Sequence, residues 1–202
     1  MRGIALTVSD ILFQEGLDAR IQLVKELASE FPCVTCICVR DDACDDSMLG
    51  DTLDRILGEW SKDIVVDGPY GWAGRDMGFC PKVAAVTVRS MEDLDTVVGH
   101  GGVPMPVGDV GFLTDASPAV GNGGMLCLEP TTMKDCLESC TVLSRSLGPK
   151  VGTAVRVWSG EYSVSVATVA LVCGASAVLF DDVDRDGLEC IQHLLRWRRH
   201  LV

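Results

Sequence analysis

The sequence predicts a single-domain (β/α)8 barrel of the TIM type over residues 1–202. Three observations predict it. Eight short β-compatible runs recur along the chain, six of them followed by a helical periodicity. The connections are short, as expected for parallel strands joined by right-handed crossovers. Apolar runs are broken by Asp, Gly or Pro before they reach the roughly 18–20 residues of a membrane span, so they read as buried strands. The alternative is an open, doubly wound parallel sheet. It is kept alive by a weak fifth unit, since closure needs every strand.

The first strand is Gly3–Val8, and Leu17, Ile21, Val24, Leu27 and Ala28 follow it at helical spacing. Residues 33–39 form a second β-rich run, after which Asp46 or Ser47 caps a helix with the stripe Leu49, Leu53, Ile56, Leu57 and Trp60. A third strand over 64–66 ends at Asp67, and the loop 68–81, GPYGWAGRDMGFCP, is too rich in Gly and Pro for a long helix. Val83–Val88 is the fourth strand, followed by a short helix over 91–98.

The fifth strand is placed at 111–114, between the Gly-rich connections GHGGVPMPVGD and ASPAVGNGG. Met125–Leu128 is the sixth, and Thr131 or Thr132 caps a helix that carries Met133, Cys136, Leu137, Cys140 and Leu147 and stops at Gly148-Pro149. Strand seven covers 151–157, an apolar helix covers 162–173, and Ala177–Phe180 is strand eight. The last helix holds Leu188, Ile191, Leu194 and Leu195, with Arg196, Arg198 and Arg199 near its C-terminus, where positive charge suits the dipole.

A formal net charge of −12 disfavours nucleic acid and anionic membranes, because both need a basic surface to replace counterions. A small-molecule substrate is the expected partner, and a homo-oligomer is compatible with the sequence. The N-terminal segment reads as a strand rather than a signal peptide because Asp10 interrupts its apolar run. The ten cysteines lie inside apolar segments and are expected to be reduced in a cytoplasmic protein.

In either parallel architecture ligands bind at the carboxyl ends of the strands. The polar residues at those ends are Asp10, Arg40 with Asp41, Asp67, Arg89, Asp115, Glu129, Arg156, and Asp181 with Asp182. Asp67, Glu129 and Asp181 are the candidate catalytic carboxylates. Asp10, Arg40, Arg89, Asp115 and Arg156 are candidate substrate ligands, together with Ser159 and Gly160, whose backbone N–H groups open a helix. Carboxylates accept from the N–H edge of a polar heterocycle, and arginines meet a phosphate or carboxylate.

Aspartates in βα loops also serve as caps and turns, which accounts for Asp46, Asp182 and Asp184. Asp67 and Glu129 differ, because each closes an apolar strand and is followed by Gly-Pro or Pro rather than by a helix to cap. Arg156 lies inside an apolar strand and needs a partner or a ligand. The five lysines fall on helices or at strand starts, which argues against Schiff-base chemistry. No transition-metal site is expected, since Cys33, Cys36, Cys38 and Cys44 lack a second Cys-x-x-Cys, while magnesium is compatible with the carboxylates although no motif demands it.

The segment TVSDILFQEG after strand one, Asp67 at the end of strand three, LEP at the end of strand six, and VATVALVCGASAVLFDDV near the C-terminus resemble the dihydropteroate synthase-like, pterin-binding barrels, a group that includes methyltetrahydrofolate-type methyltransferases. The resemblance covers about a third of the chain. It implies a transferase- or lyase-type enzyme in which acidic residues after strands three and six hold a pterin ring, carried over to Asp67 and, as a changed residue, Glu129. The family's synthases carry Ser-Arg-Lys after strand seven and Arg-x-His near strand eight. Here those places hold Arg156-Val157-Trp158-Ser159 and Phe180-Asp181-Asp182. A noncatalytic subunit that docks through the loop 68–81 or through the last helix with Trp197 is the competing expectation.

Overall fold

The structure is a computed structural model that describes residues 3–8, 16–40, 60, 63–67, 83–121, 124–147, 151–158, 160 and 162–198. Eight parallel strands follow one another around a closed barrel: β1 (Gly3–Val8), β2 (Val34–Arg40), β3 (Asp63–Asp67), β4 (Val83–Val88), β5 (Pro104–Gly108), β6 (Met125–Leu128), β7 (Gly152–Val157) and β8 (Ala177–Phe180). Closure is made by β1, which pairs with β2 on one side and with β8 on the other. The described helices are α1 (Leu17–Glu30), α2 (Met91–Gly99), α3 (Val110–Val120), α4 (Met133–Ser146), α5 (Ser163–Val172) and α6 (Arg185–Arg198).

Period-two alternation divides the apolar residues into two cores. Ala5, Cys36, Cys38, Val65, Met105, Val107, Cys127, Ala154, Ala177 and Leu179 fill the barrel interior. Their neighbours in sequence, such as Ile4, Leu6, Ile37, Val66, Leu126, Val155, Val178 and Phe180, face outward onto Leu27, Leu113, Leu143, Leu171 and Leu188 of the helices. The interior is therefore lined mostly by small residues and thiols, and the larger aliphatics belong to the jacket. At Gly3, with φ of +124°, a Cβ would come within 2.5 Å of the Cys33 carbonyl oxygen. That oxygen already accepts from Ile4 N–H at 2.8 Å, so it has no room to retreat.

Helix starts are fixed by short polar side chains. Ser90 accepts from Asp93 N–H at 3.1 Å, and Asp109 from Phe112 N–H at 2.9 Å. Thr132 accepts from Asp135 N–H at 3.0 Å, and Asp184 from Gly187 N–H at 2.7 Å. Within α3, Pro118 has no N–H to give the Thr114 carbonyl, which instead accepts from the Ser117 hydroxyl at 2.9 Å.

The fifth unit corrects the sequence reading. Residues 111–114 lie in the N-terminal half of α3, and the strand lies earlier, at Pro104–Gly108, inside the stretch read as a connection. Two prolines make that stretch look broken. Val103 gives its carbonyl to Val86 of β4 and Gly108 gives its carbonyl to Glu129 beyond β6, so by alternation residues 104 and 106 turn their amide positions toward β6. The missing donors thus fall on one seam, and only Val107 and Gly108 are in register with β6 there. The predicted helix after strand two, apart from the buried Trp60, and the loop 68–81 lie outside the described residues.

Candidate functional site

The alternation that fills the barrel with apolar side chains, continued one step toward the carboxyl ends, puts a charged residue inward on six strands. Cys38 is followed by Arg40, Val65 by Asp67, Thr87 by Arg89, Cys127 by Glu129, Ala154 by Arg156 and Leu179 by Asp181. Arg156 is at the centre, with 1 % of its surface exposed. Its Nη1 donates to Asp67 Oδ2 and lies 3.7 Å from Glu129 Oε1, and its Nη2 donates to Asp181 Oδ1 at 3.0 Å.

A second tier surrounds this core. Arg89 holds Glu129 bidentately, at 2.6 and 3.0 Å, and its Nη2 lies 3.6 Å from Asp67 Oδ1. Arg40 Nη1 lies 3.5 Å from Asp181 Oδ2. The hydroxyls of Thr87 and Thr7 donate to Asp67 at 2.7 Å and to Asp181 at 3.0 Å. The indole of Trp158 caps the group, 4.5 Å from the Arg156 guanidinium carbon and 5.0 Å from that of Arg40. Beside Arg156 and Trp158 opens a cavity of about 170 Å³, lined in addition by Thr132, Tyr162, Ser163 and Val166.

Within this described cluster the charges balance, with Arg40, Arg89 and Arg156 facing Asp67, Glu129 and Asp181. Burial pushes the Asp67 carboxyl up, but the Arg156 guanidinium, the Thr87 hydroxyl and Arg89 outweigh it and hold Asp67 below the usual aspartate range. The bidentate bond to Glu129 pushes Arg89 up. Burial would lower Arg156, but Asp67 and Asp181 more than compensate. Asp67, Arg89 and Arg156 are therefore fixed charges at neutral pH. Burial pushes the interior thiols of Cys36 and Cys127 up to about 12, so they remain protonated and are not nucleophiles.

Of the sequence-predicted residues, Arg40, Asp67, Arg89, Glu129, Arg156 and Asp181 converge. Asp115 does not: it is exposed on α3, because the segment expected to be the strand before it is a helix. Gly160 is exposed beside the cavity. Asp10 and Ser159 lie outside the described residues.

Four contributors escape the sequence reading. Thr7, Thr87 and Trp158 share inward parity with residues that it identifies, and that parity is the available signal. Arg20 opens the buried stripe Arg20, Val24, Leu27, Ala28 of α1. It donates from Nε to the Thr7 carbonyl at 3.1 Å, from Nη2 to the Asp181 carbonyl at 2.9 Å, and from Nη1 to Asp182 at 3.1 Å. An arginine on the apolar face of a helix is the mark by which it could be found. Asp67 is also more than a ligand candidate: Asp67→Asn cannot leave stability untouched, because it removes the charge that Arg156 faces.

No family model matches the sequence, and no curated protein does. Solved structures match in fold. A dihydropteroate synthase from Yersinia pestis superimposes with a TM-score of 0.66 at 13 % identity, over 96 % of this chain and 93 % of that one. Dihydropteroate synthase from Thermus thermophilus gives 0.70 at 11 %, over 100 % and 94 %. A designed cube-shaped protein cage, built by fusing symmetric oligomeric domains, gives 0.63 at 11 %, over 98 % of this chain and 73 % of that one. At such identities the likeness is one of fold: the chain is a (β/α)8 barrel that resembles the dihydropteroate synthases in architecture.

Proposed function

We propose that the barrel binds a small, polar, partly anionic metabolite at its C-terminal mouth and acts on it as an enzyme. The carrying observation is the convergence of six charged side chains from six strands on one opening, five of them around the sixth, the buried Arg156. A core that only needed stability would be served as well or better by apolar residues at those positions. Trp158, 42 % exposed at the rim, offers a face for a planar ligand. Among the carboxylates Glu129 has the most access, with 17 % of its side chain exposed against 5 % for Asp67 and 7 % for Asp181. An acid/base step would therefore fall to Glu129, once the ligand has drawn Arg89 off one of its oxygens.

Group transfer on a pterin-like heterocycle is the finer form of this reading. It is supported by the neighbours named dihydropteroate synthase, one of which was solved with a pterine–sulfa conjugate. The eight described cysteines are all free, which fits a reducing compartment such as the cytoplasm, and no described helix is long and apolar enough to cross a membrane.

The test is a thermal-shift panel of phosphorylated, carboxylated and heteroaromatic metabolites on the full chain. At least one compound is expected to raise Tm in the wild type and to lose that effect in Arg89→Ala. A second reading, a scaffold subunit, draws on the exposure of Trp197 on α6, at 58 %. A flat panel combined with a stable hetero-complex abolished by Trp197→Ala would decide for it.

A further inference from the structure

Each carboxylate oxygen of Asp67, Asp181 and Glu129 already has a donor or a cation beside it. Asp67 takes Arg156 on Oδ2 and Thr87 on Oδ1. Asp181 takes Arg156 and Thr7 on Oδ1, with Arg40 facing Oδ2. Glu129 takes Arg89 on both oxygens. A ligand that presented N–H donors to Asp67 or Asp181 would have to displace a partner already in place.

The central partner has the shape of such a ligand. Arg156 spans Asp67 and Asp181 with two nitrogens of a planar guanidinium, and Trp158 stands 4.5 Å from its central carbon. In-plane donors to carboxylates and an aromatic ring near the face are how a guanidine-like heterocycle edge would be gripped. The chain thus fills that seat with its own side chain. The most exposed of the six are of the opposite character, with Arg89 35 % and Arg40 21 % exposed, Glu129 at 17 % and held by Arg89, and Asp67 and Asp181 nearly sealed.

The geometry points to Arg156 as a specificity-determining residue that bars ligands with a guanidine-like donor edge and leaves the mouth to oxyanions, phosphate or carboxylate, met by the outer arginines. This rests on the reading of the mouth as the site of a partly anionic ligand, and it stands against the pterin-like form of that reading, because a pterin carries the donor edge that Arg156 already replaces.

The experiment is calorimetric titration of the full chain with two probes, inorganic pyrophosphate and 2-aminopyrimidin-4-one, which carries the guanidine-like edge. Wild type is expected to bind pyrophosphate and to bind the aminopyrimidinone at least about tenfold more weakly. Arg156→Ala should reverse that order. If Arg156→Ala does not fold, Arg156→Lys serves, since an ammonium cannot span both aspartates in a plane. A general loss of structure would weaken both probes together and would not invert their order.

Wild type that binds the aminopyrimidinone as tightly as the variants overturns the inference, as does a folded variant that gains nothing for it. Wild type that ignores pyrophosphate, while the variant takes up the aminopyrimidinone, upholds the seat occupied by Arg156 and sinks the proposed function instead.

Discussion

The floor and the mouth of this barrel are built by the same strands, two residues apart, and they differ in kind, the one apolar and the other charged. Below lie Val65, Cys127, Ala154 and Leu179, and one inward step later come Asp67, Glu129, Arg156 and Asp181. Alternation sets the direction of both sets and says nothing about their polarity. The floor gains from removing apolar surface from water. The mouth must offset the desolvation of six charges by pairing them, which is at best a balanced exchange. Among the described residues the charged network lies at one end of the barrel and not in the floor, and the proposed function rests on that contrast.

Removing the hub would break this contrast most severely. Arg156→Met leaves Asp67 and Asp181 without their shared guanidinium. It is expected to cost about 3–5 kcal/mol, read from denaturant unfolding. A cost below about 1 kcal/mol would mean that the network is solvated and the mouth is no special region. Next in size, Leu179→Ala opens a cavity in the buried floor. It is expected to cost about 2–5 kcal/mol while leaving ligand thermal shifts of the same size as in wild type. Loss of those shifts would couple floor to mouth and erase the division.

Acid separates the two regions without mutation. The folded pKa of Asp67 is depressed, so the stability it confers is complete above the ordinary aspartate value of 3.8 and is lost as pH falls through the lower folded value. Unfolding midpoints should be level near neutrality and fall below about pH 4, less steeply in Asp67→Asn than in wild type. The smallest effect concerns the thiols. Cys36, Cys38 and Cys127 should resist iodoacetamide near neutral pH until the protein unfolds, while the exposed Cys190 is alkylated in the native state, as peptide mass spectrometry would show.

Most of the barrel is legible because strand runs and helix stripes recur with the correct periods, and β4, β6 and β8 fall at the residues read from sequence. The fifth unit is not, because Pro104 and Pro106 are breakers in general and become tolerable only where one neighbour asks for few hydrogen bonds. An Arg within an apolar strand and acids followed by Gly-Pro or Pro single out Arg156, Asp67 and Glu129. What no residue list can show is that these charges satisfy one another. That depends on distances between strands far apart in sequence, such as the 89 residues separating Asp67 from Arg156.

Arg20 fastens the carboxyl end of the first strand to residues that follow the last one, across 161 positions of chain. Until the ribosome has delivered β8 and the residues after it, β1 lacks its second neighbour and Arg20 lacks the Asp181 carbonyl and the Asp182 carboxylate. A nascent chain that has not yet passed residue 176 therefore leaves one edge of β1 without β8, an open strand edge of the kind that invites pairing with other chains.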